Sequence, residues 1–266
     1  LKSFPAVKSV DVELDSNFTA GDSWSVLILL NKNPGREETL AVLKDAYDRV
    51  VQVVGDDFVS VSASWVQNGT SVSWPISGDE PNGAELDYLR ELAKPGRGAM
   101  SAGRGRVSVD RGVVKEFPAD LIVAPRSGVG VSDSFEVDGM TIRAVSDTVD
   151  LSPIPLRKVV EAIDSKYRKE AVVELTDNDI VSGSISLDVA AFGKESDGLD
   201  VTAAAKVLNI VSGNQALQSL YVSTVSDQSS GGTEGVRFQM DAGAFDAGYP
   251  PEEGAKVRAA ARESAS

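Results

Sequence analysis

The sequence predicts an α+β protein built from two tandem ferredoxin-like units. Each unit reads β-α-β-β-α-β, with extra flanking strands and with helices on one face of antiparallel sheets. Three observations point there. Segments with helical apolar spacing are flanked by segments that alternate apolar residues with Ser, Thr or Asp. The order of elements from Trp24 to Asp110 recurs from about Met140 to Val225. Helix starts near 36 and 83 in the first half, and near 153 and 200 in the second, lie about 47 residues apart in both halves. Residue identities barely match between the halves, so the repeat rests on order and spacing. The divisions are 1–112 for the first unit, 113–137 for connecting strands and loop, 138–245 for the second unit, and 246–266 for a polar tail.

The first element is a strand at Val7–Asp15, with Val10, Val12 and Leu14 alternating against Asp11, Glu13 and Asp15. Trp24–Leu30 is nearly all apolar and reads as a central strand. A helix follows. Asn33 is placed to cap it, Pro34 suits its first turn, Glu37 and Glu38 lie near its positive end, and Gly55 stops it. Its apolar stripe is Leu40, Leu43, Tyr47, Val50, Val51 and Val54. Asn68-Gly69 then predicts a two-residue hairpin turn, because both central residues of a type I′ turn need positive φ. That turn pairs Trp65 with Val72, Ala63 with Trp74 and Val61 with Ile76, and all six side chains share one face.

Ala84–Leu92 is a second helix, ended by Pro95-Gly96. Lys94–Arg106 is Gly-rich and basic, and β character returns at Val107 and Val109. Ala119–Ala124 reads as a short strand, and Ser134–Val145 as a hairpin around Asp138-Gly139. Ser152-Pro153 suits a helix start. Ala171–Thr176 and Gly183–Ala190 are strands, Asp200 caps a further helix, and Leu217–Val225 with Gly235–Asp241 forms a last hairpin. From Tyr249 onward the chain reads as a frayed helix or a disordered tail.

The chain has 266 residues and a formal charge of −14, with neither Cys nor His. Such a charge argues against general nucleic-acid or anionic-membrane binding, while leaving room for a local basic patch. The missing residue types exclude thiol nucleophiles, disulfides, Cys/His zinc sites and imidazole catalysis. No apolar run of eighteen residues is present, so no transmembrane segment is expected. A cysteine-free chain suits an exported bacterial protein, and its start at Leu1 suggests upstream residues such as a signal peptide or lipid anchor.

The candidate ligand-binding residues are Arg97, Arg104 and Arg106. They lie in a Gly-rich stretch that offers backbone amides and guanidinium forks to an anion, although solvated linker charges are the simpler explanation, since no G-x-x-x-x-G-K-[ST] pattern is present. Gly128-Val129-Gly130 lacks the third glycine of a dinucleotide loop. Asp177-Asn178-Asp179 lacks the glycine and distal Glu of a calcium loop. It reads, like Asp56-Asp57, Asp79-Glu80 and Glu195 with Asp197, as solvated turn carboxylates. Neither S-x-x-K nor G-x-S-x-G occurs. Trp24, Trp65 and Trp74 alternate with core positions and read as packing residues rather than sugar platforms.

These readings lead to a non-catalytic, extracytoplasmic protein of the bacterial cell envelope, secreted or a lipoprotein. It would bind an envelope protein or an anionic polymer and use no cofactor or metal. Two other classes share the composition: an envelope hydrolase or transferase using carboxylates or Ser–Lys, and a structural module of a larger assembly. A polar sheet face or groove favours binding, whereas a cleft of convergent carboxylates favours the enzyme.

Overall fold

The Asn68-Gly69 turn forms as its chemistry requires, with φ of 49° and 83°. It closes a hairpin in which Trp65 pairs with Val72 and Ala63 with Trp74, and the Ile76 amide donates to the Val61 carbonyl. The computed structural model describes residues 3–17, 21–53, 58–76, 79–178, 184–194, 198–225, 235–241 and 244–265. The chain divides into two units: Leu1–Arg111 with Arg126–Val131, and Gly112–Pro125 with Ser132–Ser266.

The first unit runs β1 (Val7–Asn17), β2 (Gly21–Leu30), α1 (Arg36–Val53), β3 (Phe58–Gln67), β4 (Thr70–Pro75), α2 (Gly83–Leu92), β5 (Ala99–Gly103) and β6 (Arg106–Val114). The second runs β7 (Gly130–Val137), β8 (Met140–Ser146), α3 (Leu156–Ala162), α4 (Ser165–Arg168), β9 (Val172–Asn178), β10 (Ser184–Lys194), α5 (Val201–Val211), β11 (Leu217–Val225), β12 (Gly235–Asp241), β13 (Ala244–Phe245) and α6 (Pro251–Ala265).

The expected ferredoxin-like units are not what forms. The thirteen strands make one mixed sheet in sequence order. In a split βαβ unit, a third strand sits between the two strands that each helix connects. Here β2 pairs directly with β3, β4 with β5, β8 with β9 and β10 with β11, all parallel. The intervening β3/β4 and β9/β10 pairs are antiparallel. Crossover hand also departs from expectation. A hairpin reverses strand direction, so two right-handed crossovers in a sequential sheet would place their helices on opposite faces. Yet α1 and α2 touch: Arg36 Nε donates to Asp87 Oδ1 at 2.5 Å, and Arg90 Nη1 to the Pro34 carbonyl at 2.8 Å. The two crossovers of the first unit therefore have opposite hands.

Each unit's core lies on the helix-bearing face. Ile28, Ala63 and Trp74 form one cross-strand row of the first, and small Ala63 leaves room beside the indole. Two complete rows build the second: Ile142, Val173, Val189, Val222 and Val236, then Ala144, Leu175, Leu187, Leu220 and Phe238. All ten side chains are at most 1% exposed, so this face is fully covered. Their burial provides the main stabilisation, at about 25 cal/mol per Å² of apolar surface.

Several local expectations shift. Asn33 does not cap α1; its Oδ1 accepts from the Asn68 amide at 2.6 Å and ties the helix approach to the hairpin turn. The buried stripe of α1 is Thr39, Val42, Leu43 and Ala46, with Leu40, Tyr47 and Val50 half-buried. The Val51 side chain, Val54 and Gly55 lie outside the described residues. Residues 119–124 form no strand, and are held instead by the Ile122 amide on Asp133 and the Leu151 amide on the Val123 carbonyl. The third helix starts at Leu156 rather than at Ser152-Pro153, because Pro155 keeps Ile154 out of the α region. The C-terminal segment is not frayed. Val257 and Ala261 of α6 are buried, and Asn209 of α5 donates to the Ala261 carbonyl at 2.9 Å.

Gly69→Val is expected to lower unfolding free energy by about 1 kcal/mol or more, since a β-branched residue resists positive φ. Urea denaturation measures this directly, and an unchanged midpoint would contradict the turn.

Candidate functional site

The uncovered face of the first unit's strands is built by alternation. Strands β3 and β4 read Ser60, Ser62, Ser64 and Ser71, Ser73 between their core residues, so every serine points away from the helices. Register aligns them across strands. Ser9 pairs with Leu29, Leu29 with Ser64, Ser64 with Ser73, Ser73 with Ser101, and Ser101 with Ser108. The result is a row of hydroxyls stepping across six strands at about 4.8 Å per strand, interrupted once by Leu29. A groove of about 580 Å³ lies on this face. Leu29, Val66 and Ala99 supply apolar floor, Ser64, Ser71 and Ser73 supply hydroxyls, and Lys8 and Lys32 stand exposed at its margin. No carboxylate is among the lining residues, so the local charge is positive in a chain of −14.

A second cavity, of about 340 Å³, belongs to the second unit. Tyr167 Oη donates to Asp200 Oδ2 at 2.5 Å, and Lys166 Nζ lies 3.4 Å from the same oxygen and 4.4 Å over the Tyr167 ring. Asp200 also caps α5 through the Ala203 amide. Burial pushes its pKa up, but the Tyr167 hydroxyl, the Ala203 amide and Lys166 outweigh burial and hold the carboxyl below its usual range. Burial, with Asp200 beside it, raises the Tyr167 phenol. The trio is thus committed to fixing a helix start, and a neutral phenol next to a carboxylate that stays ionised is poorly suited to proton transfer near neutral pH.

The predicted arginines do not converge. Arg97 is buried beside the end of α2, where its Nη1 donates to the Leu92 carbonyl at 2.9 Å. Arg104 lies in the β5/β6 turn and Arg106 opens β6, at the far end of β5, roughly 17 Å along the strand. That turn is anchored by Glu85, which is buried and accepts from the Gly105 amide at 2.7 Å. Burial raises the Glu85 pKa. Residues 99–103, read from sequence as basic loop, are strand β5. The serine row lines the groove; its signal was present in the alternation Ser60, Ser62, Ser64, Ser71, Ser73.

Among the acidic positions, Asp177 is a structural anchor. Its Oδ2 accepts from the amides of Asp147 and Thr148 at 2.9 and 2.7 Å, and from the hydroxyl of Ser146 at 3.0 Å. Burial pushes its pKa up, but these donors prevail and hold it below the usual range. Asp56, Asp57, Asp179, Glu195 and Asp197 lie outside the described residues. No group of three or more acidic side chains that could hold a metal occurs among the described residues. Trp65 and Trp74 are buried, whereas Trp24 is 39% exposed and so only partly a packing residue. Among the described residues, no helix is long and apolar enough to cross a membrane. The chain matches no protein-family model, no curated protein and no solved structure.

The depressed Asp177 pKa fixes a pH dependence. A carboxylate whose folded pKa is lowered stabilises the protein above its unfolded value, near 3.8, and that contribution disappears as pH falls through the folded value. Asp177→Asn is therefore expected to be less stable than wild type at pH 7, with the gap closing below about pH 4. Denaturation across pH 2.5–7 tests it (about five points suffice); a gap independent of pH would refute the assignment.

Proposed function

We propose that this chain is a non-catalytic, extracytoplasmic protein of the bacterial cell envelope that binds a hydroxyl-rich anionic polymer on the first unit's open face. The observation that carries this reading is the cross-strand serine row in a groove whose charged margin is Lys8 and Lys32. Hydroxyls at strand spacing exchange hydrogen bonds with a polyhydroxylated chain, and the apolar floor accepts its C–H faces. The lysines add attraction for carboxylate or phosphate groups, of the modest size usual at exposed sites. Binding rather than turnover is favoured because no carboxylate lines the groove to act as base, and neither Lys8 nor Lys32 hydrogen-bonds a groove serine to form a Ser–Lys pair. The envelope location is supported by the absence of cysteine and by the anionic polymers found there as ligands of this chemistry.

The test is binding of polygalacturonate and of neutral dextran by isothermal titration. Wild type is expected to prefer polygalacturonate and to lose affinity as salt rises. Lys8→Ala with Lys32→Ala should weaken binding by about threefold per lysine, while Arg104→Ala leaves it unchanged. Equal affinity in the double lysine variant, or no binding by wild type, defeats the reading.

A further inference from the structure

The two terminal strands of the sheet order differ. β13 is two residues long, and its Phe245 ring packs edge-on against Phe238. So short an edge gives an incoming strand little to pair with. β1 runs for eleven residues and contains no proline. Among the described residues its only ladder partner is β2, and the register between them is unbroken from Ser9 to Asn17. Alternate residues of β1 therefore turn their N–H and C=O groups away from β2, into an open edge.

The side chains beside that edge select its occupant. Val10, Val12 and Leu14 pair with Ile28, Val26 and Trp24, so they share the helix-bearing face with Val61 of β3. Along this face Val61 is 6% exposed, Trp24 39%, Leu14 48% and Val12 57%, so the apolar surface runs out to the edge and stops there uncovered. On the other face Asp11 and Glu13 are exposed, opposite Leu27 and Ser25, neither of which supplies a positive charge. A strand added to β1 continues both faces. Its residues at one parity meet Val12 and Leu14 and gain by being apolar. Those at the other parity meet Asp11 and Glu13, where opposite charge stabilises and like charge does not. A second copy of the chain fits badly: joining the same edges antiparallel, with faces matched, would set Asp11 and Glu13 against each other, acid opposite acid. The two acids thus guard the edge against its own kind while leaving it open to a basic strand.

We propose that the outer edge of β1 is a strand-addition site for an extended segment of another protein that alternates apolar residues with Lys or Arg. The inference does not depend on glycan binding: none of Asp11, Val12, Glu13, Leu14 or Trp24 lines the groove, so the two sites fail separately.

The experiment titrates the whole chain with three octapeptides, followed by amide NMR shifts and hydrogen exchange. One alternates Val with Lys, one alternates Val with Glu, and the third holds the Val and Lys residues in separate blocks. The alternating Lys peptide is expected to shift the amides from Val10 to Leu14 and to slow their exchange, while the Glu peptide and the block peptide leave them unchanged. Asp11→Lys with Glu13→Lys should exchange the preference, favouring the Glu peptide by roughly tenfold. Val12→Ser alters a side chain already more than half exposed, and should weaken the Lys peptide with the fold intact. Absence of any change in β1 with the alternating Lys peptide overturns the proposal. So does equal binding of the block peptide, which would mark plain charge attraction, or an unaltered preference in the double Lys variant. Self-association of the wild type that protects these same amides would mean that a second copy fills the edge, and overturns it too.

Discussion

Register is the constraint on which the rest of this structure depends. Each strand carries apolar residues at one parity and hydroxyl or charged residues at the other, so a slip of one residue would exchange the core for the open face. In the first unit such a slip would turn Trp65 and Trp74 to water and bury Ser64 and Ser73. Turns with positive φ prevent it. Asn68-Gly69, Arg104-Gly105 and Asp138-Gly139 each link neighbouring strands through two residues that adopt this conformation. Side chains then lock the turns from outside the hairpin: Asn33 holds the Asn68 amide, Thr70 Oγ1 donates to the Lys94 carbonyl at 2.6 Å, and Glu85 holds Gly105.

The polar anchors share a logic. Asp177, Asp200, Asp133 and Glu85 each accept a backbone amide from a segment that has no ladder to join. These are loops and helix starts, whose amides need partners wherever they are shielded. Carboxylates that look like surface charge in the sequence are thereby drawn inward. Where no amide arrives, as at Asp188, a solvent-shielded carboxylate oxygen stays without a protein partner.

Much of this was legible in the sequence because it is local. The hairpin register, the Asp200 cap, the positions of most helices and the polar open face follow from periodicity and turn chemistry. Strand order was not legible. Alternation reports which face a residue occupies, never which strand lies beside it, and the usual hand of crossovers favours a different arrangement from the one found. Pro155 overrode Ser152-Pro153 because a second proline two residues on forbids a helix from starting earlier. The candidate site was hidden for the same reason as the order. Ser64, Ser73, Ser101 and Ser108 are far apart in the chain and become a row only when pairing is known, whereas Arg97, Arg104 and Arg106 are close in the chain and are separated by the length of β5.

Sequential strand order has a consequence for how the chain becomes structured. Within each unit, every strand pairs with the next one made, with at most one or two helices between them. Contacts are therefore near in sequence for a sheet protein, and the loop-closure entropy spent before each contact forms is small. A chain emerging end-first, from a ribosome or from a narrow pore, can lay each strand against the last without waiting for its far end. The exception is α6: Asn209 of α5 meets it only across some fifty residues. The second unit's core is fully covered only when α6, with Val257 and Ala261, has docked.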